Sequence, residues 1–433
     1  MPGHGAGCGF VSINDKNGAP MDYVKLINCM RCGMCLPHCP TYKETFLETA
    51  SPRGRVALVR KFQEGELVES EKFLEYLSLC LDCQACASAC PCGVNAGELV
   101  ADFRCEKKQG EGLSMMEALI LRKLVPHPDR LEAATAPLRL YQKSGMQKVV
   151  RSLGLLKMFP AGLERMEKLL PDLPAAPLRR TLDEVTPARG KEKGTVGFFL
   201  GCVMSLVFSE ASLATVELLS SLGYRVITPK AQKCCGAPNM LGHDKEGLLQ
   251  AARFNTELFG SHDLDFVVTD CGGCGAELKK YGHHLDGEEA ATAFSAKVRD
   301  IAEVLAGEGG ALREKLKPLP LKVTYHDPCH IAHCQGIRSQ PRALIGMIPG
   351  IDFRELPEAD ACCGSAGTYN IEKPEMSGRV LSRKVANIRK TGADYLVTGN
   401  PGCLLQLKKA LAEEAPQVKV IHLTDLLKMS MDA

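Results

Sequence analysis

The sequence predicts a modular protein in which a small, cysteine-rich α-helical domain is followed by a helical linker and by two repeated α/β units with mainly parallel sheets. Three observations lead to this prediction. The chain has 433 residues, more than one hydrophobic core usually serves, so two to four domains are expected. Its 21 cysteines include dense groups at two- and three-residue spacing. The C-terminal half alternates strand-like and helix-forming runs, and this alternation occurs twice.

Changes in composition set the predicted boundaries. Residues 1–20 are rich in glycine, proline and asparagine without periodicity, and a flexible tail is expected there. The cysteine-rich domain is predicted over 21–112 and a basic helical linker over 113–192. The two α/β units, called the first and second repeat below, are predicted over 193–312 and 313–433.

Composition and charge favour thiolate chemistry in a reducing compartment. Lys and Arg number 53 and Asp and Glu 51, and this net charge of +2 gives no reason to bind nucleic acid. An odd number of cysteines cannot all form disulfides within the chain, and disulfide frameworks normally occur in small secreted domains. The N-terminus lacks a secretory signal and a twin-arginine pair, and no run of 18 residues is apolar enough to span a bilayer. We expect a soluble, cytoplasmic protein, and peripheral contact with the inner face of the cell membrane stays open.

Two copies of the pattern C-x2-C-x2-C-x3-C-P lie in the cysteine-rich domain. This spacing is typical of iron–sulfur proteins in which three thiolates of one loop bind one cluster and the fourth cysteine binds the other. We therefore predict two [4Fe–4S] cubane clusters with exchanged ligands. Cluster 1 is assigned Cys29, Cys32, Cys35 and Cys90. Cluster 2 is assigned Cys80, Cys83, Cys86 and Cys39. Structural zinc sites are the alternative, but zinc rarely uses three evenly spaced cysteines.

The segment between the two motifs has helical periodicity. The runs VALVRKF and FLEYLSL within 55–79 place apolar residues three and four positions apart. This indicates an α-helical, two-cluster ferredoxin domain rather than a compact β-rich one. Two cubanes with exchanged ligands must lie close together, so the role expected of this domain is a one-electron relay.

The linker contains no cysteine and is interrupted by prolines, which predicts short helices joined by turns. Between Arg139 and Arg180 it carries nine Lys or Arg residues against three acidic residues. This basic stretch could dock on a membrane surface or an acidic partner, although a charged helix face is more often simply solvated.

In each repeat, apolar strands are predicted to deliver a cysteine at their C-terminal ends. In the first repeat these segments are TVGFFLGC and DFVVTDCGGCG. In the second repeat they are LKVTYHDPC and DYLVTGNPGC. GYRVITP is a further predicted strand, after a helix. Ligands of open parallel sheets sit at the carboxyl ends of the strands, a location that suits a metal cluster.

The cysteine spacing is nearly the same in the two repeats. In the first, 31 residues separate Cys202 from the pair Cys234 and Cys235, and 35 more separate that pair from Cys271, with Cys274 close behind. The second repeat has the matching residues Cys329, Cys362, Cys363 and Cys403, but asparagine occupies position 400, where the first repeat has Cys271. Adjacent cysteines suit a polynuclear site better than a mononuclear one, and the glycine after each pair allows a close turn. Buried cysteines that act only as small apolar residues are the alternative, which the repetition argues against.

These patterns resemble a known family. The paired C-x(31–39)-CCG-x(35–36)-C-x-x-C units are similar to those of the heterodisulfide reductase catalytic subunit. A ferredoxin half ahead of two such units resembles the iron–sulfur subunit of glycolate oxidase and of related D-lactate and glycerol-3-phosphate dehydrogenases. The resemblance covers 22–112 and 195–430.

The resemblance implies one non-cubane [4Fe–4S] cluster in the first repeat, bound by Cys202, Cys234, Cys235, Cys271 and Cys274. The second repeat departs from the pattern at Asn400, and an amide oxygen is a hard ligand poorly suited to iron–sulfur sites. Its four cysteines could hold an ordinary cubane, an incomplete cluster or nothing. We predict that this repeat does not hold a non-cubane cluster.

The resemblance also implies the function. The expected role is the electron-transfer subunit of a flavin-dependent 2-hydroxy-acid dehydrogenase complex, with glycolate or D-lactate as substrate. No G-x-G-x-x-G fingerprint opens a strand–helix unit, so a flavin-bearing partner subunit is expected to remove the hydride. A quinone or another carrier would accept the electrons. The alternatives are a catalytic subunit that reduces a disulfide substrate and an iron–sulfur redox sensor or scaffold; the sensor is disfavoured because no DNA-binding motif is present.

The remaining cysteines and the nearby histidines carry no motif. Cys8, Cys92, Cys105 and Cys334 are predicted to be free thiols. His326, His330 and His333 surround Cys329 and could bind protons or a quinone, or donate hydrogen bonds around the site.

Overall fold

The computed structural model describes residues 23–154, 167 and 171–433. The predicted tail over 1–20 and Cys8 lie outside the described residues. The chain divides into an N-terminal unit that ends at Gly112 and a C-terminal unit that begins at Leu113. Within the described residues, no helix is both long and apolar enough to cross a membrane.

The N-terminal unit is helical, as its periodicity predicts. Its α-helices are Tyr23–Ile27, Pro40–Thr45, Pro52–Gln63, Glu71–Ser78, Ala85–Ser88 and Ala96–Glu111, and its 3-10 helices are Leu36–His38 and Glu48–Ala50. Ser51 caps the third α-helix by accepting a hydrogen bond from the N–H of Gly54, and proline occupies the first helical position. The rings of Phe62, Phe73 and Phe103 pack together with centroids 5.4 to 5.6 Å apart. This apolar core joins two helices that lie between the motifs to the helix that follows the second motif.

The C-terminal unit begins with helices of the linker. They are Met115–Ala118, the π-helical turn Leu119–Leu124, Pro128–Lys143 and Met146–Ser152. The linker packs on the first repeat through ion pairs. Arg122 donates to the buried Asp244 at 2.8 Å, and the buried Glu132 accepts hydrogen bonds from Arg179 and Arg180 at 2.6 and 2.7 Å.

The first repeat is a twisted sheet covered by helices. Its strands are β1 (Val185–Thr186), β2 (Gly194–Phe198), β3 (Tyr224–Ile227), β4 (Phe266–Thr269) and β5 (Val298–Asp300). In the described residues they lie in the order β1-β3-β2-β4-β5, and only β1 is antiparallel to its neighbour. The structure starts this repeat before the predicted residue 193, because β1 pairs with β3 and the N–H of Arg179 donates to Ser205. The helices are Leu178–Thr181, Cys202–Val207, Ser209–Ser221, Ala237–Leu241, Lys245–Gly260, Gly272–Leu278, Tyr281–His284, Glu289–Lys297, Ile301–Gly307 and Gly309–Arg313.

The second repeat follows the same plan with a fully parallel sheet. Its strands are β6 (Lys322–Tyr325), β7 (Asp352–Phe353), β8 (Tyr395–Thr398) and β9 (Lys419–His422), in the order β7-β6-β8-β9 along the described chain. The helices are Cys329–Ala332, Ser339–Met347, Tyr369–Glu372, Pro374–Thr391, Pro401–Glu414 and Leu423–Asp432. The predicted fold class is therefore confirmed: a helical cysteine-rich domain, a helical linker and two α/β repeats with mainly parallel sheets.

The two repeats pack with their cysteine-bearing edges together. The N–H of Gly272 donates to the carbonyl oxygen of Gly399 at 3.0 Å, and His422 contacts the carbonyl oxygen of Asp270 at 2.9 Å. Each of these residues follows or ends a strand, so the carboxyl edges of the two sheets meet. Two hydrophobic clusters contain buried residues from both repeats, which joins them into one folded body.

Candidate metal centres

The motif cysteines of the N-terminal unit gather around two cavities. One cavity is lined by all four cysteines assigned to cluster 1: Cys29, Cys32, Cys35 and Cys90. The other is lined by all four assigned to cluster 2: Cys39, Cys80, Cys83 and Cys86. Each cavity therefore receives three thiols from one motif and the fourth from the other. The donor set and its enclosure fit a thiolate-bound cluster in each cavity.

Each cavity also carries an arginine and polar hydrogen atoms directed at sulfur. Arg55 is buried and donates from Nη1 to the sulfur of Cys39 at 3.9 Å, while its other nitrogens bind Thr41 and the carbonyl oxygen of Tyr76. Arg53 lines the first cavity. The N–H of Val94 donates to the sulfur of Cys90 at 3.3 Å. Positive charge and hydrogen bonds to sulfur stabilise the anionic form of an iron–sulfur centre.

In the first repeat, three strands supply the cysteines. Cys202 begins the helix after β2, the pair Cys234 and Cys235 lies in the loop after β3, and Cys271 and Cys274 flank the start of the helix after β4. The sulfurs of Cys202 and Cys234 are 3.8 Å apart. The N–H of Cys274 donates to the sulfur of Cys271 at 3.4 Å. The fold thus brings together all five cysteines that the resemblance assigns to this site.

Hydrogen bonding and burial shift the pKa values of several of these thiols. Hydrogen bonding to Cys234, followed by burial, raises the pKa of Cys202 well above its ordinary value. Hydrogen bonds to Cys235 and Cys271 raise the pKa of Cys274 in the same way. Hydrogen bonds from Cys234 and Cys274 lower the pKa of Cys235 to about 7. Since these buried thiols do not all ionise on their own, a metal group bound here would supply the positive charge that converts them to thiolates.

The backbone conformation and the packing around each cysteine pair explain why a glycine follows it. Gly236 and Gly364 adopt φ angles of +89° and +87°, in the left-handed region that favours glycine. A Cβ atom at Gly236 would lie 2.4 Å from a methyl carbon of Leu248, and one at Gly364 would lie 2.7 Å from the carbonyl oxygen of Ser377. Glycine is needed here for the turn and for packing against the helices Lys245–Gly260 and Pro374–Thr391.

The second repeat gathers its four cysteines at the equivalent place. Cys363 and Cys403 are buried with their sulfurs 3.5 Å apart, and Cys329 hydrogen-bonds to Cys362. Asn400 does not direct its oxygen at these thiols. Its Oδ1 accepts the N–H of Gly273 at 2.9 Å, while its Nδ2 donates to the sulfur of Cys403 at 3.7 Å. The asparagine therefore links the two repeats instead of supplying a ligand atom.

Of the three histidines singled out from the sequence, His326 is the one that reaches the cysteines Cys363 and Cys403. Its ligand nitrogen and the two sulfurs all lie within 4.8 Å of one another. His330 contacts the sulfur of Cys329 through Nδ1 at 3.6 Å. His333 binds the carbonyl oxygen of Asp360 through Nε2 at 3.0 Å, away from the thiols.

The comparisons with known proteins agree with this architecture. Residues 25–94 match the model of the 4Fe-4S dicluster domain. Residues 112–170 match the linker region of the glycolate oxidase iron-sulfur subunit. Residues 196–279 and 323–408 each match the cysteine-rich domain.

Relatives that are similar over most of the chain identify the family. The chain is 40% identical to the probable glycolate oxidase iron-sulfur subunit of Bacillus subtilis (strain 168), with 94% of each chain covered. It is 28% identical to the glycolate oxidase iron-sulfur subunit of Escherichia coli (strain K12), over 88% of this chain and 89% of that relative. It is also 34% identical to lactate utilization protein A of Oceanobacillus iheyensis, over 54% of this chain and 96% of that protein. The resemblance predicted from the motifs is confirmed, and the chain belongs to the family of glycolate oxidase iron–sulfur subunits.

Proposed function

We propose that the protein is the electron-transfer subunit of a flavin-dependent 2-hydroxy-acid dehydrogenase complex, with glycolate or D-lactate as substrate. Its family makes it a subunit of an oxidoreductase complex. The observation that carries the proposal is the division of eight motif cysteines between two cavities, four to each. Such a pair of neighbouring sites suits one-electron transfer between a two-electron donor and a separate acceptor.

We assign the ligands as the cavities group them. Cluster 1 is bound by Cys29, Cys32, Cys35 and Cys90, and cluster 2 by Cys39, Cys80, Cys83 and Cys86. When bound, these clusters accept and release single electrons. The chain contributes the enclosure, the N–H donated to Cys90, and the buried charge of Arg55 beside Cys39.

The first repeat is proposed to hold a third, non-cubane [4Fe–4S] cluster on Cys202, Cys234, Cys235, Cys271 and Cys274. The convergence of these thiols at the carboxyl edge of one sheet supports this assignment. The linker borders the site, since the carbonyl oxygen of Pro126 accepts the N–H of Cys234 at 3.4 Å. The second repeat is proposed not to hold a non-cubane cluster, because Asn400 is committed to Gly273 and Cys403.

The flavin belongs to a partner subunit in this proposal, and a quinone or another carrier accepts the electrons. The names of the Bacillus subtilis and Escherichia coli relatives describe one subunit of a larger oxidase. The basic linker is the part of the chain proposed to contact the membrane surface. Its exposed apolar side chains include Leu140 and Val149. The basic residues Lys143, Lys148 and Arg151 lie among them in the sequence. A cytoplasmic location is proposed with it.

Affinity purification of the tagged full chain from its native host under anaerobic conditions tests the proposal. A flavin-containing subunit should co-purify, and the complex should bleach an artificial acceptor dye when glycolate or D-lactate is added. The matched control is the same complex with Cys83→Ala, which should keep the bound flavin but pass electrons to the dye more slowly. A complex that lacks flavin and reduces a disulfide substrate instead would contradict the proposal.

A further inference from the structure

We infer that the second repeat binds a single metal ion of the zinc type and that His326 is one of its ligands, together with Cys363 and Cys403. This site is separate from the three clusters of the proposed function and does not depend on the identity of the hydroxy acid. It rests on the arrangement of three buried side chains at the carboxyl edge of the second sheet.

The distances match those of one ion. The sulfurs of Cys363 and Cys403 are 3.5 Å apart, and the ligand nitrogen of His326 lies within 4.8 Å of both. A tetrahedral zinc ion with metal–sulfur bonds of about 2.3 Å holds two thiolates roughly 3.8 Å apart. All three side chains are buried, and their ligand atoms lie close enough together to share one ion.

The hydrogen bonding of His326 prepares its free nitrogen for a metal. Nδ1 lies 3.1 Å from the carbonyl oxygen of Ala359, and because a carbonyl only accepts, Nδ1 must carry the proton. Nε2 then presents a lone pair, and among the described residues this buried atom has no hydrogen-bond partner. An unpartnered buried nitrogen is costly unless something binds it. Histidines that bind metals usually donate their other N–H to a carbonyl or carboxylate in this way.

Comparison of the two repeats shows that the histidine is a feature of the second repeat. Position 326 precedes Cys329 by three residues, as Phe199 precedes Cys202. Phe199 is a buried core residue that packs on Phe259 with ring centroids 5.9 Å apart. The second repeat therefore loses a thiol at position 400 and gains an imidazole at position 326. This exchange converts a five-cysteine set into a mixed nitrogen and sulfur set, which zinc accepts readily.

The side chain of Lys384 supports a charged centre at this place. The ammonium of Lys384 is buried, donates to the carbonyl oxygens of Glu358 and Ala359 at 2.5 and 3.2 Å, and interacts electrostatically with Cys363 and Cys362. Its positive charge would offset the negative charge of the Cys362 and Cys363 thiolates. A fourth coordination position is left for Cys329, Cys362 or water.

The test uses the full-length protein, purified anaerobically with its clusters, and combines elemental analysis with zinc-edge X-ray absorption. We expect about one zinc per chain, with sulfur at about 2.3 Å and one nitrogen at about 2.0 Å. Residues that merely orient a ligand are worth roughly tenfold or more in metal affinity, so His326→Phe should weaken zinc retention against a chelator at least that much. His326→Phe installs the side chain that the first repeat already accommodates.

Two further variants keep the inference falsifiable if His326→Phe fails to fold. His326→Cys should retain zinc while the nitrogen contribution disappears from the absorption spectrum. The control His333→Gln should change neither zinc content nor spectrum. Zinc bound equally well by His326→Phe, or a second repeat filled by a fourth iron–sulfur cluster, would overturn the inference. Either result would leave the proposed function intact, whereas loss of the iron-based signals would count against that function and not against the zinc site.

Discussion

The guanidinium of Arg55 is buried beside Cys39, a cysteine that the two motifs exchange. Reduction adds negative charge to a cluster, and a nearby cation stabilises that charge. We predict that Arg55→Gln makes the reduction potential of cluster 2 more negative, by on the order of tens of millivolts. A redox titration followed by paramagnetic resonance measures this shift.

Arg53 supplies the matched control for that titration, because it lines the cavity of cluster 1 and is partly exposed. Arg53→Gln should shift cluster 1 by a smaller amount, since solvent screens its charge. If Arg55→Gln left both potentials unchanged, the buried guanidinium would have no electrostatic role.

Cys90 tests the exchange of ligands between the motifs. Cys90 lies in the same cavity as Cys29, Cys32 and Cys35. Cys90→Ala should therefore damage cluster 1 and spare cluster 2, as seen in the paramagnetic signals of the reduced protein. Cys92 lines the same cavity but is not an assigned ligand, so Cys92→Ala should leave both clusters in place. Loss of cluster 2 alone in Cys90→Ala would show that each motif binds its own cluster.

The sequence could indicate which motif cysteines line the same cavity, because close spacing restricts which thiols can come together. It could not indicate the role of His326, because His326, His330 and His333 all lie within four positions of Cys329 along the chain. Only the fold shows that His326 points into the cysteine set. Alignment of the two repeats in the sequence could have drawn attention to His326, because it occupies the position of the apolar Phe199.

Helix Pro128–Lys143 of the linker is held against the first repeat by the buried carboxylate of Glu132, which Arg179 and Arg180 both contact. Removing one member of a buried ion pair leaves charge without a partner. We predict that Glu132→Ala lowers the free energy of unfolding of the C-terminal unit by about 3 kcal/mol. Chemical denaturation followed by circular dichroism measures the loss.

The control for this prediction is the exposed Glu257 on the helix Lys245–Gly260. Glu257→Ala should change the free energy of unfolding by less than about 0.5 kcal/mol. Equal stability of the two variants would mean that the linker is not anchored through Glu132.

Strands that precede cysteines were open to prediction from their apolar runs. Strands β2, β4, β6 and β8 were predicted in this way. Strand β3 was predicted from the apolar run GYRVITP, which comes after a predicted helix. Strands β1, β5 and β7 have two or three residues, too few to show a period. The anchoring of the linker was equally hidden, since Glu132 and Arg179 are 47 positions apart in the chain.

The two repeats form a pair whose cysteine-bearing edges meet, and the sequence predicted the repetition without predicting this packing. Contacts such as that of Asp270 with His422 join residues 152 positions apart, which no local pattern records. The same packing explains Asn400, because its amide lies where the repeats touch and bonds to Gly273. Asparagine at this position thus provides a contact between the repeats where the first repeat has a thiol.

The metal content of the anaerobically purified full-length chain tests the central claim most directly. Two cubanes and one non-cubane cluster require about twelve irons per chain, matched by acid-labile sulfide, and reduction and oxidation should give cubane signals and one unusual paramagnetic signal. Iron near eight without the unusual signal would contradict the cluster in the first repeat. Zinc in place of iron in the two cavities of the N-terminal unit would contradict the electron-transfer function itself.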